Sequence, residues 1–317
     1  MLTVMTQMGA LIVAGVVWRT LQPGGLDADT ARRVLTTLVY YLLLPALVLQ
    51  VLWTAPLGLD SLRIAFVAGA TVLAMVALTL VACRVCAAER AAVGAMLLAA
   101  AWPNATYLGL PVLDSLFGEP GRAVAIQYDL FACLPLVLTL GVLLARRYGD
   151  PEAVRLYGGG SPLRGLAAVP SIWAALAGVA LNLAGVPLID WLDAFLGFLA
   201  DSVAPLMLFS LGLALVFHRF RGRDMRPLAV VTGIQLLVAP LFAFALVLLT
   251  GLEGVPGVGS ILEAAMPAMV LGLVFCDRFR LDTGLYAAAV TLTTALSLVT
   301  LPLWFALATA VLGTPVA

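Results

Sequence analysis

Apolar residues dominate this chain in long runs, and polar residues gather in the short gaps between them. Runs of the length needed to cross a bilayer as a helix, about 20 residues, recur at residues 3–21, 33–54, 61–83, 91–117, 122–145, 169–187, 194–217, 227–250, 258–279 and 283–311. The pattern predicts ten transmembrane helices and no strands. Two runs, 91–117 and 283–311, are longer than a straight span needs, and each contains proline. Within "LLAAAWPNATYLGLPVL", Pro103 and Asn104 interrupt a stretch that otherwise reads as continuous helix.

Arginine placement is consistent with this count. The connections after spans 1, 3, 5, 7 and 9 hold fifteen arginines, and the opposite side holds two, Arg63 and Arg122. Positive charge collects on the cytoplasmic side of membrane proteins, so both termini are expected outside. No basic residue precedes the first apolar run, which argues for an uncleaved first span. A polar connection at 146–168 separates two five-span halves, 1–145 and 169–317. Five is odd, so the second half must enter the membrane inverted relative to the first. "AGVVWRTLQP" in span 1 echoes "AGVALNLAGVP" in span 6. Pro45 and Pro205, Pro103 and Pro267, and Pro135 and Pro302 are separated by 160, 164 and 167 residues. This near-constant offset predicts a 5+5 inverted repeat, a frequent plan among secondary transporters.

Composition agrees: 63% of residues are hydrophobic, 11% are charged, and mean hydropathy is +1.11. A soluble domain carries about 25% charged residues. Net charge is zero, which gives no reason to expect a nucleic-acid partner. All 17 basic residues are arginine, as expected of a GC-rich, bacterial genome. Cys83 and Cys86 form a C-x-x-C in apolar surroundings with no second pair, so helix packing is expected there. His218, the single histidine, falls in an arginine-rich turn facing water. No bound cofactor or structural metal is expected.

The candidate chemistry lies at the broken helices. Proline in a helix interior frees a carbonyl, and in hydrocarbon that is tolerated only against protein, water or ligand. Pro45, Pro135, Pro205 and Pro302 are expected to be simple kinks. Pro103 and Pro267 are symmetry mates near mid-span, each followed by small residues, so spans 4 and 9 are expected to be broken and to cross. Half-helices starting at the breaks would aim positive dipole ends at the centre, a site for a carboxylate. Those ending there would offer free carbonyls to a cation. The candidate substrate residues are Pro103, Asn104, Ala105, Thr106, Pro267, Ala268 and Met269. Asn104 could equally cap the second half-helix. Glu263, roughly 6 Å before Pro267 at 1.5 Å per residue, is a candidate ligand for Na⁺ or H⁺, or else lies near the surface and is hydrated. Asp129 and Gln127 join it as candidates for cation coupling, with Asp129 alternatively paired to Arg122. The threonines of span 10 are expected mainly to pack.

"PNATYLGLPVLDSLFG", the "EAAMPA" break and "AAAVTLTTALSLVTLPLW" resemble the auxin efflux carrier family, especially its bacterial members. The resemblance runs the whole chain. Its most specific piece is N-x-x-x-x-G-x-P from Asn104 to Pro111. The wider superfamily includes the bile acid–sodium symporters, whose sodium-binding segment is similar to Glu263 and Met266 in E-x-x-M. The resemblance implies a scaffold of spans 1, 2, 6 and 7, with a candidate homodimer interface, and a transport core of spans 3–5 and 8–10 moving as an elevator. It implies transport of a small organic anion, a mono- or dicarboxylate, across the bacterial inner membrane. A bile acid-type sodium symporter and an uncoupled auxin-like uniporter are the alternatives. Ala268 stands where plant carriers tend to have a second Asn. Span 3 has Thr71 and Thr79 but no charged pair, and the long plant loop is absent. These departures point away from auxin itself. An enzyme would need a catalytic group at membrane depth, and neither a histidine nor an Asp-rich motif lies within the spans. A single central site favours alternating access over an open pore.

Overall fold

The computed structural model describes residues 2–85, 88–157, 161–215 and 225–313. Cys86 and His218 lie outside the described residues, as do Arg219, Arg221 and Arg223. Among the described residues the chain is all helix, without strands. The helices are α1 Leu2–Leu21, α2 Ala28–Thr54, α3 Leu59–Val85, α4 Arg90–Ala101, α5 Ala105–Phe117, α6 Glu119–Tyr148, α7 Pro151–Tyr157, α8 Pro162–Ala167, α9 Pro170–Leu183, α10 Asp190–Ala214, α11 Met225–Thr250, α12 Gly254–Ala264, α13 Gly272–Arg278 and α14 Thr283–Leu312. Seven of these, α1, α2, α3, α6, α10, α11 and α14, are long and apolar enough to cross a membrane.

The remaining predicted spans take other forms. Spans 4 and 9 are each two half-helices, α4 with α5 and α12 with α13. Span 6, expected over 169–187, is helical only from Pro170 to Leu183. The connection at 146–168 contains the short helices α7 and α8.

Large apolar side chains remain uncovered around the outside of the bundle; Leu249, Phe198, Leu183 and Trp191 are each more than two-thirds exposed. A soluble monomer rarely shows so much uncovered apolar surface, and lipid is the solvent that suits it. The chain is a multi-pass membrane protein.

Helices α1, α2, α9 and α10 pack together, and α3–α6 pack with α11–α14. In the first group α1 and α10 cross at Gly15 and Gly212, where a Cβ on either would collide with the other helix's backbone. Asn182 on α9 donates to the Trp53 and Ala55 carbonyls at the end of α2, each at 2.8 Å.

Four of the prolines come with a local feature that the expectation of kinks did not specify. π turns at Val39–Leu43, Ala105–Gly109, Asp129–Cys133 and Ile234–Val238 are each followed two residues later by a proline: Pro45, Pro111, Pro135 and Pro240. Proline brings no N–H and its ring crowds the carbonyl four residues back. A widened turn ahead of it makes room for the ring. Pro45 and Pro135 therefore follow π turns, whereas Pro302 sits within continuous helix.

Candidate functional site

At the first break α4 stops at Ala101. Trp102 is extended (φ −114°, ψ 113°), and Pro103 and Asn104 carry the chain into α5. At the second break α12 stops at Ala264, and the chain runs non-helical until Gly272. The two breaks lie side by side. Asn104 N–H donates to the Pro267 carbonyl at 2.7 Å, and Met269 N–H donates to the Trp102 carbonyl at 3.2 Å. Pro103 thus faces Ala268 as in an antiparallel bridge. Each interrupted helix supplies partners for groups the other has freed.

The rest of the second break is satisfied by side chains. Gln235 Nε2 donates to the Met266 carbonyl at 2.8 Å. The Ala268 N–H donates to Thr293 Oγ1 at 3.1 Å, and Tyr286 Oη donates to the Met269 carbonyl at 2.7 Å. Thr293 also donates to the Ala289 carbonyl at 2.7 Å, so it does more than pack. The expected dipole end just past Pro267 does not form, because α13 begins only at Gly272 and the intervening Ala268 and Met269 N–H groups are already bonded.

A cavity of about 60 Å³ adjoins the crossing. Pro103, Asn104, Ala105, Thr106, Asp129 and Met269 line it, together with Trp102 and Tyr107. Pro267 and Ala268 are buried in the backbone pairing and are absent from the lining. Asn104 does not cap α5 with its side chain. Its carbonyl accepts from Leu108 and Gly109 at 3.2 and 3.1 Å, while Nδ2 is buried without a partner. Trp102 Nε1 is likewise buried and unpartnered. Thr106 Oγ1 hydrogen-bonds Asp129 Oδ2. Asp129 does not pair with Arg122, whose guanidinium is held by Asp114 at 2.6 Å and Asp201 at 3.0 Å.

Glu263 is 0% exposed and both carboxyl oxygens lack a hydrogen-bond partner, so the hydrated alternative is overturned. The carboxyl sits against Gly109, where a Cβ would collide with it. Met266 is also fully buried, its carbonyl engaged by Gln235. Gln127 stands apart from the crossing. It lines a cavity of about 680 Å³ together with Thr54, Asp60, Arg63, Glu119, Arg122 and Asp193. This cavity gathers the connections predicted to lie outside. A third cavity, about 230 Å³, shares Tyr107 and Leu271 with the crossing and also touches Arg32, Tyr40 and Val274. The cavity at the crossing therefore borders a larger space at Tyr107 and Leu271.

Residues 3–157 and 159–305 match the family described as Membrane transport protein, across both halves. The chain belongs to this family. It is the family to which the resemblance to auxin efflux carriers pointed. This membrane transport protein is 35% identical over 206 residues to an "Uncharacterized transporter" of Methanothermobacter thermautotrophicus, the alignment covering 65% of each chain. It is 29% identical over 220 residues to an uncharacterized transporter of Methanocaldococcus jannaschii, with 67% of each covered. It is 25% identical over 205 residues to the uncharacterized transporter YfdV of Escherichia coli K12, with 64% of each covered. The aligned stretch thus spans just under two thirds of the first of these relatives.

Gln235, Tyr286 and Trp102 were missed from the sequence. A lone glutamine inside an apolar run is itself a signal, because a polar side chain at membrane depth needs a partner. Tyr286 and Trp102 gave no such signal, since aromatic residues are common in spans.

Proposed function

We propose that this membrane transport protein is a secondary active transporter of a small organic anion, a mono- or dicarboxylate, working by alternating access in a bacterial inner membrane. Counting α9 and the two broken helices with the seven long ones makes ten spans, a 5+5 inverted repeat with both termini outside. The observation that carries the proposal is the pairing of the two breaks at Asn104–Pro267 and Trp102–Met269, beside buried, unpartnered N–H groups. Those groups suit a carboxylate. Glu263 is the proposed coupling residue, because an ionised carboxyl buried without a partner is strongly unfavourable unless a positive charge accompanies it. That charge is H⁺ or Na⁺. The helices α1, α2, α9 and α10 form the proposed scaffold, against which the other group moves as an elevator.

Uptake of labelled mono- and dicarboxylates into proteoliposomes, with and without a Na⁺ or pH gradient, tests this reading. Accumulation that depends on one gradient and is lost in Asn104→Ala is expected. If no carboxylate moves under either gradient, or if Asn104→Ala transports as well as the parent, the proposal fails.

A further inference from the structure

The cavity at the crossing carries two unmet demands. Trp102 Nε1 and Asn104 Nδ2 are buried donors without acceptors, and both residues line it. Buried donors left unpaired are costly, and a ligand carboxylate would satisfy them. Asp129 lines the same cavity. No arginine among the described residues pairs with it, and no arginine or histidine lines the cavity. The groups around it are the Thr106 hydroxyl and Tyr107 from α5, Cys133 on its own helix, and Glu263 from α12; α2 presents Leu44 and Val48. None is cationic.

We propose that the solute held at the crossing is an α-amino carboxylate, its carboxylate on the donors around Asn104 and its ammonium on Asp129. The proposal rests on the reading of the crossing as a carboxylate site and narrows it: the solute is a mono- or dicarboxylate that also carries an amine, so its net charge is one unit less negative than that of the plain acid. A plain monocarboxylate would meet the donors but set a second negative charge beside Asp129, and a dicarboxylate would add a third. A simple cation would leave the N–H groups unpaired. A charge-assisted ammonium–carboxylate bond meets both demands at once. The cavity of about 60 Å³ is the share of roughly two water molecules, so the five heavy atoms of an amino carboxylate head would also take up part of the space past Tyr107 and Leu271. The solute's side chain would pass Tyr107 and Leu271 into the neighbouring cavity of about 230 Å³.

Matched pairs differing only in the amine test this: leucine against 4-methylpentanoate, and aspartate against succinate. Binding is measured by calorimetry on the detergent-purified protein, in Na⁺ and in choline buffers. The amino member of at least one pair is expected to bind about tenfold or more tighter, the scale set by one charge-assisted hydrogen bond. Asp129→Asn is expected to abolish that preference. Thr106→Val keeps the carboxylate but frees it, and is expected to weaken the amino member several-fold more than its deaminated mate, which secures the test should Asp129→Asn not fold. Equal or tighter binding of the deaminated member of both pairs in both salts, or equal weakening of both members by the variants, overturns the proposal while leaving a carboxylate transporter standing. Binding of no carboxylate of either kind overturns both.

Discussion

A Cβ on Gly109 would occupy the space of the Glu263 carboxyl. Gly109→Ala must therefore push that group aside within a closed interior, and overpacking of this kind destabilises by about 1–3 kcal/mol. Removing the obstructing group should relieve it. In the double variant Gly109→Ala, Glu263→Ala, the loss in thermal stability is expected to be smaller than the sum of the single losses, a coupling that a double-mutant cycle reads. Strict additivity would show that the two residues do not touch. Gln235 offers a second residue-level test. Its amide holds the Met266 carbonyl at 2.8 Å in the non-helical stretch, and leucine cannot. Gln235→Leu is expected to lower stability by about 1–3 kcal/mol, the penalty of a buried acceptor left unpaired. A variant as stable as the parent in detergent melts would mean that another donor replaces the amide.

At the scale of elements, Pro240 frees the Leu236 carbonyl four residues earlier, and Trp304 Nε1 on α14 donates to it at 2.9 Å. The aromatic side chain thereby ties α14 to the widened turn of α11. Trp304→Phe is expected to destabilise the parent by about 1 kcal/mol or more, and less in a Pro240→Ala background, where the substituted residue brings a backbone N–H that can donate along its own helix. Equal losses in both backgrounds would refute this linkage. The same pair shows what the sequence disclosed and what it withheld. The apolar runs were legible because a bilayer demands a fixed length of apolar helix, and the breaks at Pro103 and Pro267 because proline in such a run frees backbone groups. The asymmetry of the breaks was not legible. Non-helical chain persists from Ala265 to Leu271 because Gln235, Thr293 and Tyr286 arrive from other helices to hold it. π turns escaped for a similar reason: which carbonyl a proline frees is local, but which donor answers it is tertiary. At the site, Asn104, Thr106 and Asp129 could be named from sequence, whereas the bond between Thr106 and Asp129 and the isolation of Glu263 required the fold.

For the whole molecule, motion between the two helix groups is the step on which transport would depend, and Arg122 bridges them. Its guanidinium sits between Asp114, on its own side, and Asp201, near the middle of α10 in the other group. The large cavity beside it has walls from both groups: Thr54 on α2 and Asp193 on α10 face Arg63 on α3 and Gln127 on α6. Closing this cavity by sliding one group along the other would pull Arg122 away from Asp201 while Asp114 travels with it. On the proposed elevator motion, the pair would favour the state in which the cavity is open. Asp201 is 70% exposed, so the bond is worth no more than about 0.5–1 kcal/mol, a two- to five-fold bias. Asp201→Asn is expected to shift the population by that factor toward the closed form. A cysteine in place of Thr54, in a background with the native cysteines replaced, reports the shift as slower labelling by a membrane-impermeant maleimide in vesicles. The effect should shrink with added salt, since an exposed pair is screened. Asp114→Asn, which removes the partner that moves together with Arg122, should leave labelling closer to the parent rate. Identical labelling of Asp201→Asn and parent at low salt would mean that the two groups do not separate at this pair, and the elevator reading would lose its proposed outer contact.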